Sequence, residues 1–420
     1  MGGEAVNLSD IDLVSPDVFV AGVPHHMFKV LRAEAPVFWH PESVGPGFWA
    51  ITKYHDVAAI SKNPGTFSSN RRTALLPEMP QAQLDNQRLM MLNLDPPLHN
   101  KVRNLVNKGF TPRMVARLEP HIREITTAII DRIALTGACD FVNEVAVELP
   151  LQVIAEMLGV PLEERRLLFD WTNRMIGFDD PEYHTTPEDG EIAAMELYAY
   201  ANRLALERRK HPRDDLVTVL LNAEVDGEHL SELEFDLFFL LLSVAGNETT
   251  RNLISGGMLA LLEHPGQRDR LLANPSLLPF AVEEMLRWVS PVMHFRRTAT
   301  RDTEIRGRQI RENDKVVMFY PSVNRDEEIF PEADVFDVAR HPNEHLAFGI
   351  GQHFCLGAKL ARLEIRVMFE ELLRRLPDIE LAGPVRRLRS NFINGIKAMP
   401  VRFTPEKSDG SRGSGVRSRE

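Results

Sequence analysis

Chemistry in this chain gathers around one sulfur. In HLAFGIGQHFCLGAKLA, residues 345–361, Cys355 stands among Gly349, Gly351 and Gly357 and just ahead of a helical pattern. Glycines permit turns and close backbone approaches that side chains forbid. A thiol at the start of a helix is favoured as its thiolate by the positive end of the helix dipole. Thiolates bind soft and borderline metals, but a zinc site calls for several protein ligands. Cys139 is the only other cysteine and makes no Cys-x-x-Cys pair, while His341 and His345 flank Pro342 in a loop. A lone thiolate suits a cofactor that fills the other positions itself, as haem does. The competing reading is a buried structural cysteine, the commoner fate of this residue.

The elements that must position such a group read mainly as helices. SELEFDLFFLLLSVAGNETTRNLISGGMLALLEHP carries a capping box at Ser231 and Glu234 and a stop at Pro265. A helix over this span runs roughly 50 Å. Its segment LFFLLLSVA is apolar on every face, which calls for burial on every face. Gly246, Asn247, Glu248, Thr249 and Thr250 then interrupt it. Either the helix surfaces there, or polar groups lie inside for a purpose. TPRMVARLEPHIREITTAIIDRIAL, interrupted by Pro120, and LEIRVMFEELLRRL repeat the helical period. PVFWH, FWAIT, TEIRGRQI and DKVVMFY read as short strands in small peripheral sheets. The expectation is one mainly α domain over residues 1–405, followed by a disordered polar tail over 406–420.

The totals narrow the function class. With 49 basic against 60 acidic residues the net charge is −11, which argues against a nucleic-acid or anionic-membrane binder. Two cysteines among 420 residues do not make a secreted disulfide framework. The opening MGGEAVNLSD lacks the regions of a signal peptide, and Val6 stands where myristoylation wants Ser or Thr. No apolar run reaches the ~20 residues of a membrane anchor. A soluble, reduced, cytoplasmic protein is expected.

Phe348, Gly351, Cys355 and Gly357 fit F-x-x-G-x-x-x-C-x-G, with His353 two places before the cysteine. This resembles the haem-binding loop of the cytochrome P450 monooxygenases, and the likeness runs from about Ile11 to Phe403. It implies the P450 fold, with haem b held between the long central helix and the cysteine-loop helix. Cys355 would be the axial ligand of the iron, with Ala245, Gly246, Phe348, Gly349 and Gly357 beside the cofactor. AGNETT looks like the oxygen-activating stretch, with Glu248 and Thr249 as an acid–alcohol pair beside a kink at Gly246. His99 and Arg103 of DPPLHNKVR, Arg297 of FRRTATRD and His353 match the partners of the haem propionates. Glu284 and Arg287 of VEEMLRW, with Arg340 of FDVAR, resemble a structural ion-paired triad. Two positions depart from common family patterns: Glu248 where many members have Asp, and His353 where many have Arg.

The resemblance implies insertion of one atom of O2 into a C–H bond. Electrons would come from NAD(P)H through a reductase and a separate [2Fe-2S] or similar ferredoxin. Lys101, Arg103, Arg113, Lys359, Arg362 and Arg366 would give that partner a basic docking face. Leu241, Val244, Ala245, Val292, Met293, Phe295 and Ile393 would line an apolar substrate pocket. RRTALLPEMPQAQLDNQRLMML, residues 71–92, reads as a mobile entrance cover. AGVPHHMFKVLRAEAPVFWHPESVGPGFWAITKY and RLRSNFINGIK resemble the branch that oxidises sterol side chains and terpenoids. A steroid or terpenoid substrate is therefore expected, a fatty acid or monoterpene being the alternative. A peroxide-driven peroxygenase and a non-catalytic haem sensor are the readings outside the monooxygenase class.

Overall fold

The apolar run after Ser231 folds as one unbroken α-helix, Glu232–Glu263, in the computed structural model. The structure describes residues 6–107, 110–183, 186, 188–225 and 227–407. At 32 residues the helix is about 48 Å long. Its cap is reciprocal: Ser231 Oγ accepts the Glu234 N–H at 3.3 Å, and the Glu234 carboxylate accepts the Ser231 N–H at 2.9 Å. Pro265 ends this pattern by opening the next helix, Pro265–Ala273. Around the central helix pack Glu148–Leu158, Asp189–Lys210, Leu278–Val289 and Ala358–Arg375. Phe239, Leu253, Ile254, Met258, Met285 and Phe369 lie in the shared apolar core.

The helix does not surface at AGNETT, since Asn247 and Glu248 are buried. It runs unbroken through Gly246, where a Cβ would stand 2.7 Å from Ile154 Cγ1, so the glycine answers a packing need. Pro120 likewise fails to end its helix, Pro112–Ala134, because it sits on the exposed side.

All four strand-like segments form strands. Five strands make the largest sheet, in the order Val37–His40, Phe48–Ile51, Lys315–Phe319, His294–Ala299 and Phe67–Ser68. Only the pairing of Phe48–Ile51 with Lys315–Phe319 is parallel. The strand HFRRTA escapes alternation rules because its polar residues are buried too, and it places Arg297 opposite Val316. Thr303–Ile305 and Arg308–Ile310 form a separate hairpin. Cys139 pairs with Val401 in a three-stranded sheet, and burial pushes its thiol up to about 12, aided by Glu144 and Asp140.

Residues 71–92 make specific contacts with the body of the fold. They contain the helix Gln81–Gln87, and the Glu78 carboxylate meets Arg296 at 2.9 Å and Lys315 at 3.1 Å. Both cations are buried, so an acid partner is needed there. Of the expected tail, Glu406 accepts from Arg375 Nε at 2.8 Å, and residues 408–420 lie outside the described residues. Among the described residues no helix is long and apolar enough to cross a membrane.

Candidate active site

Cys355 lies in the link between the turn Gly351–His353 and the helix Ala358–Arg375. The loop leading to it is closed by the Cys355 N–H, which donates to the Phe348 carbonyl at 2.9 Å. Gly351 adopts a φ of 77°, and a Cβ there would sit 2.7 Å from the Ser61 carbonyl oxygen, so only glycine fits. At its other end the Leu346 N–H donates to Asn324 Oδ1 at 2.7 Å. The Asn324 carbonyl in turn accepts from Arg287 Nη1 at 2.8 Å.

Arg287 leads directly to the expected triad. Its Nε and Nη2 donate to Glu284 at 2.8 and 2.7 Å, and Arg340 Nε meets the same carboxylate at 3.1 Å. Glu284 and Arg287 have no exposure to solvent. The triad therefore braces the cysteine loop through Asn324, rather than touching the cavity.

Cys355 is free of any disulfide. Burial raises its thiol, while the backbone N–H groups of Gly357 and Ala358 and the charges of Arg103 and Arg362 pull the other way. Those donors are arranged to stabilise a thiolate, which a bound metal cation would complete. Above the sulfur opens a largely apolar cavity of about 250 Å³, in contact with solvent. Leu241, Ala245, Gly246 and Thr249 reach it from the central helix, and Phe348, Gly349, His353, Cys355 and Gly357 from the cysteine loop. Val292, Phe295, His99, Arg103 and Arg297 complete the expected residues that line it.

Four expected residues are not brought to this lining: Val244, Glu248, Met293 and Ile393. Met293 is buried with its N–H on the Phe392 carbonyl at 2.8 Å, and Ile393 is buried in a bridge to Val292. The Glu248 carboxylate is drawn behind the helix, where it pairs with Arg251 and accepts from Thr172 Oγ1 at 3.3 Å. Burial raises this carboxyl, opposed by Arg251 and Thr172. Thr249 Oγ1 donates to the Ala245 carbonyl at 2.8 Å, so acid and alcohol face different surroundings. Phe110, Tyr320, Leu360 and Glu364 line the cavity without having been expected there, while Met91 and Leu92 reach it from the segment expected as its entrance cover.

Basic groups collect at one edge of the cavity. The rings of His99 and His353 lie 4.2 Å apart, and His353 Nε2 is 3.4 Å from Ser69 Oγ. Burial, then the charges of Arg297, His99 and Arg103, hold His353 well below the ordinary imidazole value. Arg297 is buried and donates to the Arg296 carbonyl at 2.8 Å; Arg103 donates to the Gln352 carbonyl at 3.4 Å. Neither arginine forms a salt bridge among the described residues. A buried Arg297 and a partly buried Arg103, neither paired with a carboxylate, suit an anionic partner. A Cβ at Gly357 would meet nothing within 4 Å, and one at Gly349 only the His353 carbonyl at 3.8 Å. A flat group with two carboxylates at one edge and a metal over the sulfur fits this arrangement, and haem is such a group.

The docking face is less free than its composition suggested. Arg362 is bonded to Glu283 at 2.6 and 2.8 Å, and Arg366 meets Glu119 at 3.0 Å and Glu370 at 2.9 Å. Arg103 faces the cavity, while Lys101, Arg113 and Lys359 are exposed.

A lone cysteine facing an apolar cavity, with basic groups gathered at its edge, has the make-up of a haem-thiolate site on a helical fold. A family model described as Cytochrome P450 matches residues 194–377. The steroid C26-monooxygenase of Rhodococcus jostii strain RHA1 is 44% identical over 402 residues, covering 93% of this chain and 84% of that protein. The methyl-branched lipid omega-hydroxylase of Mycobacterium bovis is 43% identical over 412 residues, covering 95% of this chain and 96% of that protein. A Mycobacterium marinum cytochrome P450, solved in complex with pseudoionone, has a TM-score of 0.88 at 41% identity, covering 94% of this chain and 98% of that one. The chain belongs to the cytochrome P450 family, and it is a monooxygenase acting on hydrophobic substrates with haem iron and O2.

Proposed function

We propose that this monooxygenase hydroxylates a steroid on its side chain. The observation carrying this reading is the cavity with few polar groups at its substrate end, where Leu241, Val292, Phe295 and Phe110 offer apolar contact. The steroid oxidation named for the Rhodococcus relative supports it. A methyl-branched lipid is the second reading, favoured by the nearly equal identity to the Mycobacterium hydroxylase. Titrating the haem-loaded protein with steroids, branched fatty acids and terpenoids separates them through the low-to-high spin shift. Steroids are expected to saturate the shift at the lowest concentration; saturation first by a branched fatty acid overturns the assignment.

Cys355 would ligate the haem iron in this reading, and His99, Arg103, Arg297 and His353 would hold the propionates. Haem bound there supplies O2 activation and transfer of one oxygen atom to a C–H bond, helped by electron density from the thiolate. The chain's own part is to seat the substrate, exclude water and deliver protons. Thr249 lines the cavity, and rotation away from the Ala245 carbonyl frees its hydroxyl to pass a proton through cavity water. Glu248 serves from behind the helix, its charge held by Arg251. Thr249→Ala is expected to keep haem content and the substrate spin shift. Product per NAD(P)H falls about tenfold and peroxide rises, since a positioned proton donor is lost. Unchanged product per NAD(P)H removes the role. Electrons reach the protein from a separate [2Fe-2S] or similar ferredoxin and its reductase, with exposed Arg113 and Lys359 available for docking. Two free cysteines accord with work in the reducing cytoplasm.

A further inference from the structure

Adjacent glutamates of the helix Leu278–Val289 serve different neighbours. Glu284 holds Arg287 and Arg340, and through them braces the cysteine loop. Glu283 turns instead to the helix Ala358–Arg375, where it accepts from Arg362 Nε at 2.6 Å and Nη2 at 2.8 Å. His345, whose side chain is 2% exposed, fixes the same carboxylate. Its Nδ1 accepts the Ala347 N–H at 3.2 Å, which leaves Nε2–H to donate to Glu283 Oε2 at 3.1 Å. Burial opposes an ionised Glu283, but the hydrogen bonds from His345 and Arg362 bring the carboxyl down to about 2. The acid therefore carries its charge at neutral pH.

What that charge cancels lies close to the sulfur. The Arg362 guanidinium sits 4.5 Å from the centre of the Phe348 ring, a cation over an aromatic face. The Phe348 carbonyl accepts the Cys355 N–H at 2.9 Å. Two arginines direct positive charge at the sulfur, Arg103 and Arg362. Arg103 lines the cavity without a carboxylate partner, and so is left for the acid groups of a cofactor. Arg362 is outside the cavity lining and has its partner built in. Support of the loop alone does not require this pair, since Asn324 already holds the Leu346 N–H.

We infer, on the haem-thiolate reading of the site, that Glu283 sets the reduction potential of haem bound at Cys355 by neutralising Arg362. Uptake of one electron from the redox partner adds one negative charge beside the sulfur, with no bond made or broken in these residues. An unopposed cation at Arg362 would favour that uptake, and an unopposed anion at Glu283 would resist it. Glu283 is thus a positioning residue, absent from the cavity lining and acting through Arg362.

Glu283→Gln, Arg362→Gln and the double variant, each loaded with haem, are compared with wild type by spectroelectrochemical titration without substrate. Glu283→Gln should raise the potential, and Arg362→Gln should lower it. Each shift should equal about a threefold to tenfold change in the one-electron equilibrium, tenfold being about 59 mV. The double variant should return to within about twofold of wild type, because the two charges act on each other. Arg362→Lys, which keeps the charge, should also stay near wild type. Haem content and the thiolate-type carbon-monoxide band should be kept throughout. A pair that merely supports the loop would move both single variants the same way and leave the double variant worst. Shifts of equal sign, no shift in either single variant, or loss of haem from one of them overturns the inference. A wild type lacking the thiolate-type band would instead strike the haem-thiolate reading itself.

Discussion

Replacing Cys355 by serine is expected to lower monooxygenase turnover by at least about a thousandfold, equivalent to about 4 kcal/mol of barrier. A serine hydroxyl stays protonated where a thiol yields a thiolate. The N–H donors of Gly357 and Ala358 and the charges of Arg103 and Arg362 offset only part of the burial that already raises the sulfur. The variant loses the soft anionic ligand and with it the electron density that favours O–O cleavage. The carbon-monoxide difference spectrum of reduced protein reads the ligand directly, and a retained thiolate-type band would exclude Cys355 from that role. Cys139→Ser is the matched control. Its thiol, held up at about 12 in a sheet remote from the cavity lining, should be replaced without effect on spectrum or turnover.

Glu284→Ala is expected to cost about 3–5 kcal/mol of stability, the range for breaking a buried ion pair by removing one partner. Arg287 would stay fully buried with only the carbonyls of Asn324, Ala333 and Val335 to accept its hydrogens. A domain has about 5–15 kcal/mol in all, so this loss is a large fraction. The damage should reach the cysteine loop, because Arg287 holds the Asn324 carbonyl and Asn324 holds the Leu346 N–H. Denaturant unfolding and the haem content of purified protein measure both consequences. A wild-type midpoint with full haem content would show that the triad is not the brace described. An exposed pair such as Lys29 with Asp334 should change the midpoint by less than about 1 kcal/mol.

Much of the site was legible because its signals are local. Gly351 must be glycine for its backbone angle and its approach to Ser61, and that need shows as spacing around Cys355. Ser231 and Glu234 cap each other across three residues, so the start of the central helix could be read directly. The likeness around His99, Arg103, Arg297 and His353 placed four donors that the fold does gather at one cavity edge. The strand carrying Arg297 was not legible, since both of its faces are buried and periodicity marks only a half-buried strand.

By itself, then, the sequence determined the helical class, the cysteine loop, the propionate-type donors and the triad. Tertiary structure alone decided where several of those side chains point and what they meet. Gly246 is needed against Ile154, ninety-odd residues earlier in the chain. Glu248 turns to a back pocket because Thr172 comes there from another helix. Arg362 and Arg366 spend their charge on Glu283, Glu119 and Glu370. Backbone angles and caps depend on adjacent residues and so leave a mark in order and spacing. Charge pairing and desolvation depend on distance in ångströms, which packing sets between segments that the sequence holds far apart.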